Sequence, residues 1–250
     1  METTTIKQTK RYLKQYSACM NWALRRKIVK ENPYPDLIKT IVTKKNNEED
    51  TDINPFTIEE RDLIIDAFRS GKYERYKNSH IKYADYVEFN FYTGARTSEA
   101  LGLKWEHIDF KNNHILFQEG RVMATNGSHG RGIQKKGLKT QKKRTFPMSP
   151  RISNMLLKRK ELINPLNPTE NVFGDINHAS FRSGAYKRIL EQLEIDYRKP
   201  YQTRHTFITI MANQSDLKLH QIAFICGTSP TVITNHYLGK AIDVQSLPEI

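Results

Sequence analysis

The chain has 250 residues, 38% of them hydrophobic, and 40 Lys and Arg against 27 Asp and Glu give it a formal net charge of +13. That length can bury a sizeable core, no run of eighteen apolar residues offers a membrane span, and two cysteines, Cys19 and Cys226, exclude a disulfide framework and argue for a reducing compartment. Residues 131–160 hold eleven Lys and Arg and no Asp or Glu, a single-sign field that suits a polyanion such as nucleic acid.

The N-terminal METTTIKQTKRY lacks the apolar stretch of a signal peptide. Residues 6–31 read as a helix, because Ile6, Leu13, Tyr16, Cys19, Met20, Ala23 and Leu24 recur at three- and four-residue spacing. Asn32-Pro33 ends that pattern, and a short helix is expected over Asp36–Thr43. The polar run 44–55 reads as a linker. Thr57 and Glu60 form a capping box that opens a helix to about Phe68. A second helix is expected over Ile81–Tyr92. Trp105–Phe110 and His114–Gln118 read as strands joined at Lys111-Asn112-Asn113, and Lys142–Met148 as another, with Lys135–Thr140 in or beside the preceding hairpin. Helices are expected over Ser149–Ile163, Phe181–Leu193, Thr203–Gln214, Leu217–Cys226 and Pro230–Tyr237. The fold class expected is mainly α with a small antiparallel β-sheet.

Four stretches carry candidate chemistry. In Thr93-Gly-Ala-Arg-Thr-Ser-Glu99, Gly94 permits a tight turn and Arg96 stands at a helix start, where the dipole favours an anion and a guanidinium fork can hold two phosphate oxygens. Arg204 and His205 head the apolar helix that follows Tyr201. Gly227 breaks one helix, Ser229-Pro230 starts the next, and Tyr237 ends it. Lys139 lies on the basic hairpin. Each stretch alone is equally readable as a solvated helix start, a packed tyrosine or a lysine-rich surface; the segment 217–237 is also readable as a weak helix-turn-helix.

Taken in order, the four resemble the tyrosine recombinase (phage integrase) family. Thr93, Gly94, Arg96, Glu99 and Leu103 match its T-G-x-R-x-x-E-x-x-x-L turn. Lys139 and Pro147 match its hairpin lysine and proline-ended strand, and Arg204 and His205 its H-x-x-R-H box. Gly227, Ser229 and Tyr237 match its G-H-S segment and the tyrosine ten residues after that glycine. The resemblance covers about residues 54–240. Two positions depart from it: Tyr201 stands where the family has histidine, and Thr228 where it has histidine or tryptophan. A tyrosine still donates a hydrogen bond but, with a reference pKa of about 10, is a poor base.

The resemblance implies a tyrosine recombinase catalytic-domain fold over 56–250, a linker at 49–55, and a partial helical DNA-clamping segment over 1–48. It implies that Tyr237 attacks DNA to form a 3′-phosphotyrosyl link, that Arg96 and Arg204 clamp the phosphate, and that Lys139 protonates the departing oxygen. Tyr201, His205 and Thr228 become supporting donors. Lys135, Lys136, Lys142, Lys143 and Arg144 become DNA contacts, the first two also the fallback for Lys139. Double-stranded DNA is the expected partner, bound by a homotetramer to which the tail beyond Leu238 contributes. No cofactor or metal is expected, since neither a phosphate-binding G-x-x-x-x-G-K-[ST] loop nor a two-metal carboxylate set is found. A cytoplasmic, nucleoid-associated protein of a prokaryote or phage fits these traits. Two alternatives stay open: a type IB topoisomerase-like enzyme with the same chemistry, and a decayed DNA-binding regulator, which Tyr201 and Thr228 would favour. The recombinase arrangement requires an open phenol at residue 237 and arginines that face one surface.

Overall fold

The structure, a computed structural model, describes residues 6–41, 53–122, 132–137, 143–163 and 167–238. Its contacts divide the chain into two units, residues 1–51 and 52–250. The expected linker falls largely outside the described residues.

In the first unit, α1 (Ile6–Arg25) pairs with α2 (Tyr34–Thr40). The Asn32 side-chain amide donates to the Ser17 carbonyl at 3.1 Å and to Asn21 at 2.8 Å, and Tyr16 stacks on Tyr34. The helix expected to run to residue 31 stops at Arg25, where Lys27 takes φ +57°, and these bonds hold the Asn32-Pro33 turn that follows. Much of the apolar stripe read from the sequence stays uncovered here: Ile6, Tyr16 and Cys19 are exposed, and only Ser17 and Ala23 are buried among the described residues of this unit.

The second unit opens with α3 (Ile58–Ser70), whose capping box forms as expected: Thr57 Oγ1 accepts from the Glu60 amide at 3.1 Å, and Glu60 accepts from the Thr57 amide at 2.8 Å. The expected Ile81–Tyr92 helix begins as a tight turn over Ile81–Tyr83 and continues as α4 (Ala84–Thr93). Tyr86, Val87, Glu88, Phe89, Asn90 and Phe91 are all buried, so α4 is enclosed around most of its circumference, as a central core helix is. A short α5 (Thr97–Leu101) follows.

Strands β1 (Ile108–Asp109), β2 (His114–Phe117) and β5 (Arg144–Pro147) form an antiparallel sheet in the order β1-β2-β5. β3 (Glu119–Val122) and β4 (Ile133–Lys136) form a separate two-stranded one. Trp105–His107, expected within a strand, is instead a tight turn. The amides of Trp105 and Glu106 bond the carbonyls of Glu170 and Pro168, so they make no ladder with a neighbouring strand.

α6 (Pro150–Glu161) leads to α7 (His178–Phe181), a wide helical turn over Arg182–Tyr186 and α8 (Lys187–Gln192); the helix expected over Phe181–Leu193 is thus interrupted around Gly184. Last come α9 (Gln202–Gln214), α10 (Leu219–Cys226) and α11 (Pro230–His236). A line of ring contacts, Phe89 to Phe117 to Phe146 to Phe207, ties α4 through the three-stranded sheet to α9. The class is mainly helical with small antiparallel sheets, as expected, and that aromatic line holds fixed the three elements that carry the charged residues described next.

Candidate active site

α4 ends at Gly94, which takes φ +56°, a left-handed conformation that an L side chain adopts only with strain. A Cβ here would also lie 2.5 Å from the Phe207 ring. The turn delivers Arg96 to the start of α5, where its amide donates to Glu99 Oε2 and its Nη1 to Glu99 Oε1, each at 2.9 Å. Arg204, in the first turn of α9, is 3% exposed and donates from Nη1 to the Gly94 carbonyl at 2.6 Å. Two arginines far apart in sequence therefore meet on one turn.

They meet again at the C-terminal end of α10. Arg144 Nε donates to the Ile225 carbonyl at 3.0 Å, Arg204 Nη2 to Cys226 at 2.7 Å, and Arg96 Nη2 to Gly227 at 2.5 Å. A helix end presents carbonyls without intrahelical donors and the negative pole of the dipole. Three guanidinium groups are thus drawn to one helix end by charge and by geometry. Gly227 at φ +64° turns the chain there. Ser229 then caps α11, its Oγ accepting from the Val232 amide at 3.3 Å.

Arg144 corrects an expectation. It was assigned to DNA, yet its side chain is 4% exposed and pairs with the buried Glu99 carboxylate at 2.8 Å. Its guanidinium also lies 4.3 Å over the Phe117 ring. Burial alone would raise the Glu99 carboxyl, but Arg144, and then Arg96, hold it below the ordinary carboxylate range. Burial in turn lowers Arg144, against the pull of Glu99. The alternation of β5 carried the missed signal: Arg144 and Phe146 share a face, and Phe146 points inward. Arg151 and Arg159, from the same basic run, are paired with Glu88 and Asp85 of α4, so part of the single-sign field is neutralised within the fold.

Tyr237 follows α11 directly. Its hydroxyl lies 2.6 Å from His205 Nδ1, and the two rings stack with centroids 5.6 Å apart. The residue is 9% exposed, more enclosed than the expected open phenol. Burial pushes its pKa up to about 12, opposed by the neighbouring Arg204 charge. His205 therefore faces the tyrosine oxygen. Tyr201, 42% exposed, packs edge-on against the other side of His205 at 5.1 Å. Thr228 is half-buried in the turn, its amide bonded to the Ala223 carbonyl at 2.9 Å.

Lys139 and Lys142 lie outside the described residues. Lys135, opposite Gly120 in the β3–β4 ladder, and Lys143 are exposed; Lys136 stands opposite Glu119. Among the described residues, no group of three or more His, Cys, Asp or Glu could hold a metal ion, and no helix is long and apolar enough to cross a membrane.

The model of the phage integrase family matches residues 56–242. The chain is 27% identical to a tyrosine recombinase XerC-like protein of Caldanaerobacter subterraneus subsp. tengcongensis, over 96% of this chain and 63% of that protein, so it spans less than two thirds of that relative's length. Its fold is similar to the Tn1549 transposon integrase in complex with transposon right end DNA, with a TM-score of 0.65 and 16% identity over 97% of this chain and 83% of that one. It is also similar to a lambda integrase dimer bound to a COC′ core site, with a TM-score of 0.57 and 12% identity over 98% of this chain and 62% of that one.

Proposed function

Because the chain belongs to the phage integrase family, we propose that it cuts and rejoins double-stranded DNA at specific sites through a 3′-phosphotyrosyl intermediate on Tyr237. One observation carries this reading: Arg96 and Arg204 bond consecutive carbonyls at the end of α10, and the Arg204 charge acts on the phenol of Tyr237. Cleaving a phosphodiester while keeping its energy needs a covalent ester that another strand can later displace. The negative charge that builds on the phosphate oxygens needs fixed cations, which these arginines supply. Lys139 is assigned the protonation of the leaving oxygen, with Lys135 and Lys136 as its reserve. Tyr201 and Thr228 are assigned supporting hydrogen bonds, and Lys135, Lys136, Lys142 and Lys143 contacts to the DNA backbone. The first unit is assigned to clamping DNA, and assembly on DNA to a homotetramer.

The direct test uses a randomised pool of nicked duplexes, in which the fragment beyond the cleaved bond diffuses away and leaves the protein trapped. A detergent-resistant adduct whose DNA maps by peptide mass to Tyr237 is the expected result. An adduct on another residue, or none, rejects the reading.

Two further outcomes follow from the same roles. Arg204→Lys keeps the charge but loses the planar fork that reaches Gly94 and Cys226 together. Adduct formation should slow by about 100-fold or more, with DNA affinity changed far less; rates measured on the trapped duplex check this. Affinity itself should depend steeply on salt. If six or more phosphates are contacted, it should fall by about a thousandfold between roughly 50 and 200 mM salt. A flat titration would remove the exposed hairpin lysines from the DNA interface.

A further inference from the structure

A phenol held near pKa 12 must lose its proton before its oxygen can bond to phosphorus. The ionisable groups that face it among the described residues are Arg204, Tyr201, Cys226 and His205. Arginine has no acceptor lone pair. Burial pushes the Cys226 thiol up to about 11, which leaves it neutral and a weak acceptor. Tyr201 is itself a phenol. The imidazole of His205 alone combines contact with the reacting oxygen, at 2.6 Å, with a ring nitrogen that can accept a proton.

We propose that His205 is a catalytic residue, the base that takes the Tyr237 hydroxyl proton onto Nδ1 as the oxygen attacks the phosphodiester. This rests on the assignment of Tyr237 as nucleophile. The role fixes the neutral ring as the tautomer with its proton on Nε2. In the forward step the O–H proton passes to Nδ1 and the Tyr237 oxygen forms a bond to phosphorus. The bond from phosphorus to the 5′ oxygen then breaks, and that oxygen takes a proton from the general acid assigned to Lys139. In the return step the incoming 5′ hydroxyl gives its proton back to that acid, and the imidazolium returns its own to the phenol as the phosphotyrosyl bond breaks. Stacking of the two rings at 25° keeps nitrogen and oxygen in register, and the half-buried position of His205 leaves its ring partly open to water. The sequence pattern placed His205 among the supporting donors; its distance to the nucleophile assigns it the proton instead.

The experiment uses the full chain and the duplex that the wild-type protein traps. His205→Asn retains a hydrogen-bonding atom near the place of Nδ1 but cannot hold a proton, and His205→Gln serves if the first variant does not fold. Adduct formation should slow by about 100-fold, with DNA affinity and melting temperature unchanged. A trifluorotyrosine at position 237, a far more acidic phenol, should then recover most of the loss in His205→Asn. A duplex with sulfur at the bridging 5′ position, whose leaving group needs no proton, should leave the loss in place. A rate within about threefold of wild type, or a loss that the acidic phenol leaves untouched, overturns the role of His205 alone. Failure of the wild-type protein to form any adduct on Tyr237 overturns the functional reading and this role with it.

Discussion

Tyr237→Phe is expected to abolish the covalent protein–DNA adduct while leaving the protein folded and bound to DNA. The substitution removes one oxygen. The ring stays stacked on His205, so little apolar surface changes. The hydrogen bond to Nδ1 is lost, at about 1 kcal/mol, a cost the fold tolerates. Arg96 and Arg204 keep their bonds to Gly94, Cys226 and Gly227, so the proposed phosphate clamp is intact and affinity should hold within about threefold. What disappears is the only atom assigned to attack phosphorus, and the loss should reach the detection limit of a gel assay. A normal adduct yield in this variant would reject Tyr237. Tight binding by a wild-type protein that never forms an adduct would point to a decayed, regulatory relative. Relaxation of a plasmid with no cognate site would point to topoisomerase behaviour.

The largest effect on stability is expected at Arg144. Exposed pairs such as Lys39–Asp36 contribute about 0–1 kcal/mol. The Arg144–Glu99 pair is different, because both side chains are enclosed, at 4% and 1% exposure. Arg144→Met strands a buried carboxylate with Arg96 alone, and removing one member of such a pair costs about 3–5 kcal/mol. A denaturant titration should show the midpoint fall with an unchanged slope. Changing Glu99 to Gln in the same molecule should return much of the loss, since the penalty belongs to the unpaired charge. The pH dependence has a definite sign. Glu99 titrates below its unfolded value, so its contribution is present above the ordinary carboxylate range and is lost as pH falls through the folded value. The wild-type and Arg144→Met stabilities should therefore converge in acid. A loss below about 1 kcal/mol at neutral pH would remove Arg144 from this role.

Much of the fold could be read from local pattern. The capping box at Thr57, the Ser229-Pro230 helix start and the strands over β2 and β5 rest on signals a few residues long. The tight turn at Trp105 does not, because it is settled by partners far along the chain, the Glu170 and Pro168 carbonyls. The same division runs through the site. Arg96, Arg204 and Tyr237 were legible from motif spacing. Arg144 was not, since a basic run hides which of its members faces inward until its acidic partner is located on α5. His205 was singled out, but only the fold brings its ring against an oxygen thirty-two residues away.

The end of α10 sets a limit on how this region of the chain can vary. Carbonyls 225, 226 and 227 each hold a different arginine, one from the sheet, one from α9 and one from the turn before α5. An α-helix rotates about 100° per residue. Gaining or losing a single residue within α10 would swing all three acceptors out of register together and carry the tyrosine segment round with them. The length of this short helix is consequently as tightly constrained as the identity of any charged group, although none of its own side chains is assigned to the chemistry.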